Sequence, residues 1–273
     1  MLLALFLLLS EKLWASIPEK PIGGVGAGMG NVWIVPTSSK WGGLGNQAAL
    51  AYNREFWVGL NHENRFLVKE LGYSTLGVQL PVTPGTLGFS ISHFGYSSFN
   101  TTQVGLSYGM KLSKSLAAGV GLAYHYLQVM GDYKSKSAYT VEGGIIYTPV
   151  DKLTVGAYFF NPTGSSFTET ETLPPLLGIG LAYAPTNSLS LMVQVDDDTE
   201  TSPSLRVGVE YFAVKQLAVR VGYSTGNLQG MTFGLGWNIK QLSVDFSMGY
   251  HSVLGFSPQL SIGYSPVLKR KVK

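Results

Sequence analysis

From about residue 54 onward, apolar side chains occupy every second position in segments of roughly eight to twelve residues, broken by Gly, Pro, Asn, Asp and Ser. Val104, Leu106, Tyr108, Met110 and Leu112 fall on one face of such a segment, with Gln103, Gly105, Ser107, Gly109 and Lys111 on the other. The stripe recurs in Leu205, Val207, Val209 and Tyr211, in Leu217, Val219, Val221 and Tyr223, and in Met231, Phe233, Leu235, Trp237 and Ile239. A period of two is that of a β-strand, so the chain reads as all-β, with about fourteen strands over residues 54–266. The second face decides the architecture. It is mostly Gly, Ala, Ser and Thr with isolated charges, whereas the outer face of a soluble sandwich would be densely charged. The apolar face therefore meets lipid, and the expectation is a transmembrane antiparallel β-barrel.

Connections support this reading. Ser113 to Ser115, Pro149 to Lys152, Pro185 to Ser188, Val214 to Gln216 and Lys240-Gln241 read as tight turns. Between them lie longer links at Gln128 to Ser137, Asn161 to Pro175, Asp196 to Pro203 and His251 to Pro258. Short turns at one end and longer loops at the other mark an outer-membrane barrel with both termini periplasmic. Tyr147, Tyr183, Tyr211, Trp237 and Tyr264 then form an aromatic girdle at the short-turn end, and Tyr126, Phe159, Tyr223 and Tyr250 a second one opposite.

Composition narrows the choice. Charged residues are 13% of the chain, about half the usual 25% or so, while 45% is hydrophobic and the mean hydropathy is +0.17. Outside the first ten residues no run of about 18 apolar residues exists, which excludes a bundle of membrane-spanning helices. With no cysteine there are no disulfides or thiolate sites. The net charge of +3 owes much to a basic tail, residues 267–273, with Lys269, Arg270, Lys271 and Lys273, and nothing points to nucleic acid. Leu2 to Leu9 and Ala15 read as a signal peptide over residues 1–15, although no Lys or Arg precedes the apolar block. Localisation in the outer membrane of a Gram-negative bacterium follows.

About eight strands suffice for side chains alone to fill a barrel, so a fourteen-stranded one with small inward residues needs a filler. Residues 16–53, with Gly23 to Asn31 and Trp41 to Leu50, are too Gly-rich for regular helix and are expected to form a luminal plug. Here the chain resembles the PorV/PorQ family within the FadL-like outer-membrane barrels. The resemblance rests on Gly28-Met29-Gly30-Asn31, on the hatch motif Asn46, Gln47, Ala48 where the family has Asn-Pro-Ala, and on Phe160-Asn161-Pro162. It implies a fourteen-stranded barrel with an N-terminal plug. FadL-like members take up hydrophobic compounds, and PorV-like members serve the type IX secretion system. The implied partners are outer-membrane lipid, a hydrophobic small molecule and, on the second reading, secretion-system proteins.

Candidate chemistry is sparse. Gly105-Leu106-Ser107-Tyr108-Gly109 matches a nucleophile elbow, but it sits inside an alternating strand rather than at a strand-to-helix turn. The Gly24 to Gly28 run lacks the strand and helix that a phosphate loop requires. Asp196, Asp197, Asp198 and Glu200 lack the full spacing of a calcium loop and read as a solvated outer loop. No enzyme, cofactor or metal is expected. Inward charges remain: Arg206, Glu210, Arg220 and Asp245 on successive strands, with His125 and Glu142 on the facing wall. Charges in a lumen must be hydrated or paired, so these six either anchor the plug or receive a ligand headgroup.

Overall fold

The computed structural model describes residues 23–130, 135–168, 171–198, 200, 202–225 and 230–266. The expected signal peptide, residues 16–22 of the expected plug and the basic tail lie outside these. The strands are β1 Trp57–Asn64, β2 Gly72–Pro81, β3 Thr86–Tyr96, β4 Phe99–Lys111, β5 Leu116–Val129, β6 Lys136–Val150 and β7 Leu153–Phe160. They continue as β8 Leu176–Thr186, β9 Leu189–Asp198, β10 Ser204–Val214, β11 Leu217–Ser224, β12 Gly230–Ile239, β13 Leu242–His251 and β14 Gly255–Tyr264. Each pairs antiparallel with its sequence neighbours, and β1 closes on β14, with Val58 opposite Tyr264 and Glu63 opposite Gln259. Closure leaves no unpaired sheet edge, a condition for crossing hydrocarbon. Among the described residues no helix is long and apolar enough to cross a membrane.

Short turns join the even-numbered strands to their successors, as the sequence predicts. Register shifts at Tyr147/Val150 and Tyr183/Thr186 place Pro149 and Pro185 beside bulges, where a missing N–H is tolerated. The opposite end differs from expectation in three places. β3 and β4 are joined by two residues only, and His251 and Gly255 pair across a three-residue turn where a longer loop is expected. β9 runs on through Asp198, so Asp196 belongs to the wall rather than to a solvated loop.

Alternation sorts the side chains. Leu106, Val120, Phe233 and Leu235 are exposed on the outside, as are the girdle residues Tyr147, Tyr183, Tyr211, Trp237 and Tyr264. The core lies inside the barrel. Residues 23–53 form a short helix α1 (Gly23–Ala27), a second, α2 (Gly42–Gly45), and a 3-10 turn (Gln47–Tyr52), and bury Val25, Met29, Val32, Ile34, Val35, Trp41 and Leu50.

Candidate functional site: the plugged lumen

The lumen is built from glycine upward. A Cβ on Gly119 would lie 2.3 Å from the Gln47 carbonyl carbon, and one on Gly222 would lie 2.1 Å from the Gly30 nitrogen. Gly208 meets Met29, Gly234 meets Gly28, Gly156 meets Ile34, and Gly144 meets the Asn46 side chain in the same way. The inward glycines thus let the plug backbone lie directly on the wall backbone. This explains most economically why Gly is about 12% (34/273) of the chain against the usual 7% or so.

Wall polar groups then satisfy the plug's main chain, which has too little regular structure to satisfy itself. The Gln194 Oε1 accepts from the backbone N–H of Trp33 (2.9 Å) and Ile34 (3.0 Å). Gly30 N–H donates to Thr232 Oγ1 at 2.7 Å, and Gly24 N–H to Ser261 Oγ at 2.5 Å. Gln79 donates to the Lys40 carbonyl at 2.5 Å and accepts from Asn53 Nδ2 at 2.5 Å, while Thr86 donates to the Asn53 carbonyl at 2.6 Å. Aromatic edges complete the fit, with Trp33 on Tyr158 and Trp41 on Trp57.

The six charged candidates all face the lumen and are buried, but they do not form one network. Glu210, Arg220 and Asp245 come together: Arg220 Nε donates to Glu210 Oε1 at 2.7 Å and Nη1 to Asp245 Oδ1 at 2.8 Å. Glu210 and Arg220 are directly paired across β10 and β11, and Ser38 of the plug donates to Glu210 Oε1 at 2.7 Å. Arg206 instead pairs with Asp196 (Nε to Oδ1 2.8 Å, Nη2 to Oδ2 3.0 Å). Asp196 also accepts from Gln194 Nε2 at 2.8 Å, which orients the amide that holds Trp33 and Ile34. On the facing wall Glu142 accepts from Tyr158 at 2.5 Å, and His125 Nε2 lies 2.8 Å from Thr140 Oγ1.

The hatch motif is a helix cap. Asn46 is extended, its Oδ1 accepts from Ala48 N–H at 3.0 Å, and its Nδ2 donates to the Ile34 carbonyl at 2.7 Å. Gln47 therefore holds the first position of the turn, where proline is equally at home because no intrahelical bond uses that N–H. Its Oε1 is buried with no partner among the described residues. Asn161, from the third quoted motif, ends β7 at φ 48° and holds the next loop through Ser165 and Leu173 carbonyls.

Several of these residues escape sequence reading. Gln194, Gln79, Thr232 and Ser261 are ordinary polar residues in strands, and Asp196 belongs to the acidic run expected in a loop. The available signal was register: Leu191, Val193 and Val195 face outward, which puts Gln194 and Asp196 on the lumen row. Ser107 of the elbow-like pentapeptide reaches the Gly88 carbonyl, far from the partners of His125 (Thr140) and Asp245 (Arg220). Among the described residues no group of three or more His, Cys, Asp or Glu is arranged to hold a metal.

A cavity of about 350 Å³ opens at the short-turn mouth, with Arg220 and Asp245 among the residues lining it and Lys40 and Lys240 there as well. Two recesses toward the other end, beside His251 and beside Phe167, measure about 30 and 10 Å³. Val25, Met29, Ile34, Trp41 and Leu50 of the plug are buried between these ends.

No protein-family model matches the chain, and no curated protein matches it. Solved structures do share the fold. The toluene transporter TbuX of Ralstonia pickettii superposes with a TM-score of 0.63 at 11% identity, covering 89% of this chain and 97% of that one. The toluene transporter TodX of Pseudomonas putida gives 0.64 at 11% over 89% and 97%. A FadL homologue of Pseudomonas aeruginosa gives 0.65 at 12% over 89% and 98%.

Proposed function

We propose that this protein resides in the outer membrane of a Gram-negative bacterium, with both termini periplasmic, and binds or passes small hydrophobic compounds through a lumen gated by its plug. The carrying observation is the Gly-lined fourteen-stranded wall with residues 23–53 laid against it, in a fold that toluene transporters share. A gate must hold firmly and still release. Here the fixings are separate small links, each neutral hydrogen bond contributing about 0.5–1.5 kcal/mol, so the plug can peel away stepwise while the barrel's strand pairing stays whole. Val25, Met29, Val32 and Val35 pack with Met192 inside the lumen, and this apolar contact is what a hydrophobic solute would replace. His125, Glu142, Arg206, Glu210, Arg220 and Asp245 serve on this reading as anchors for the plug and its supporting wall. The alternative role for the charges is a station for a ligand headgroup at the Arg220 and Asp245 end, where the large cavity lies. No catalytic role is assigned.

The filled lumen also favours a second reading, a PorV/PorQ-type barrel that works through secretion-system proteins instead of conducting. Uptake of radiolabelled toluene into proteoliposomes, run beside crosslinking in native membranes, separates the two. Protein-dependent uptake above that of empty vesicles supports transport. No uptake together with a stable crosslinked complex supports the partner role and refutes transport.

A further inference from the structure

The two ends of the barrel carry opposite charge. Four of the six short turns bear a lysine, Lys114, Lys152, Lys215 and Lys240, and the only carboxylate on these turns is Asp151. At the other end Glu63, Glu70, Glu171, Asp197, Asp198 and Glu200 outnumber Arg65, Lys69 and Lys136 among the described residues. Each turn lysine follows an exposed apolar side chain by one or two residues: Leu112, Val150, Val214 and Ile239. Those apolar residues cap the lipid-facing stripe just beyond the aromatic girdle, so the ammonium groups stand where hydrocarbon gives way to headgroups. All four lysines are exposed; Lys114, Lys215 and Lys240 have no carboxylate within ion-pair distance among the described residues, and Lys152 Nζ donates one hydrogen bond to the Pro185 carbonyl at 3.0 Å, which leaves two of its three donors for a headgroup. They are spread around the circumference, on turns from β4–β5 to β12–β13, instead of being gathered on one patch.

We propose that the short-turn end is a binding ring for anionic phospholipid headgroups of the leaflet that surrounds it, with Lys114, Lys152 and Lys215 as its main contacts. The proposal rests on the membrane-spanning reading above. An acidic protein partner would need the charge concentrated on one side or over the mouth. A ring that tracks the girdle matches the lipid annulus. Each lysine near an anionic surface should favour such lipid about fivefold, which corresponds to roughly 1 kcal/mol.

One side chain reports on this directly. Trp237 is exposed on the outer face, and its partner Leu217 lies two residues from Lys215, whereas Trp33, Trp41 and Trp57 are buried in the lumen. The full chain with Trp14→Phe is reconstituted in vesicles that mix phosphatidylcholine with phosphatidylglycerol, one or the other brominated. Stronger quenching of Trp237 by the brominated anionic lipid is expected; its excess should fall in Lys215→Gln and vanish in Lys215→Gln with Lys240→Gln, the turn lysine that follows Trp237's own strand, and at 1 M salt. Lys114→Gln, several strands away, should leave the Trp237 excess unchanged. Equal quenching by the two lipids in the parent protein overturns the proposal, as does an undiminished excess in Lys215→Gln. If that variant keeps its lipid excess but loses sedimentation with isolated peptidoglycan sacculi, the ring serves a polymer and the proposal is also overturned. Absence of quenching by both lipids is a different failure, because it removes the barrel from the bilayer and sinks the underlying reading.

Discussion

Gly222→Ala isolates the contact between plug and wall with the smallest change available. The added Cβ would lie 2.1 Å from the Gly30 nitrogen and 2.2 Å from the Met29 carbonyl carbon, where ordinary contact begins near 3.4 Å. Both neighbours are backbone, so no rotamer change relieves the clash and the plug must move by more than an ångström. Overpacking of this kind costs about 1–3 kcal/mol. The shift also endangers the 2.7 Å bond from Gly30 N–H to Thr232, about another 0.5–1.5 kcal/mol. The docked plug should therefore lose about 2–4 kcal/mol against its released state, while β10, β11 and β12 stay paired. The assay is hydrogen exchange followed by mass spectrometry in detergent micelles, with barrel peptides as the internal reference. A loss of 2 kcal/mol corresponds to roughly thirtyfold faster exchange in residues 23–35. Gly249→Ala is the control, because a Cβ there meets only Ser257 at 3.9 Å on the same inward face. Equal protection of residues 23–35 in the two variants would refute the backbone-on-backbone account.

Three further outcomes are expected. Arg220→Ala leaves Glu210 and Asp245 buried without their cation, a change that costs about 3–5 kcal/mol at a dry site and less here because the cavity borders it; residues 36–45 should exchange faster with the barrel intact, and unchanged protection would exclude anchoring through Glu210 and Ser38. Gln47→Pro removes a buried acceptor without a partner at a position that suits proline, and Asn46 is already extended as a residue before proline prefers, but it also gives up the 3.3 Å bond from Gln47 Nε2 to the Gly45 carbonyl and some buried volume, so equilibrium unfolding should shift by less than about 1 kcal/mol in either direction. Phe233→Arg, at mid-strand on the outer face, should cost about 2–4 kcal/mol in bilayer folding assays and Ile239→Arg, at the strand end, about 0–1, with equal costs contradicting the placement of the lipid core.

The barrel was legible because its cause is local. A two-residue period with Gly and Pro breaks determines strands, and a second face that is small instead of charged determines which side meets lipid. The even strand number and the short turns followed from the same row of residues. Loop lengths were less legible: β3–β4 and β13–β14 turn tightly because Gly95 and Gly255 adopt positive φ there, a choice that spacing alone does not reveal. The lumen was half legible. Arg206, Glu210, Arg220 and Asp245 stood out as charges in a neutral row, but which of them pair depends on barrel register, and that couples Arg206 to Asp196 on β9. Gln194 and Thr232, which hold the plug's backbone, look like any polar strand residue. Their role appears only once a chain segment distant by 161 or 202 positions lies against them.

The central claim is that residues 23–53 occupy a lumen that would otherwise be open. Planar-bilayer recording of the barrel with residues 16–53 deleted, beside the intact chain, tests it most directly. The account predicts that the deleted form still folds, shown by its resistance to unfolding in mild detergent, and opens steady ion-conducting channels where the intact protein shows little current. A folded deletion form that conducts no more than the intact protein would contradict it.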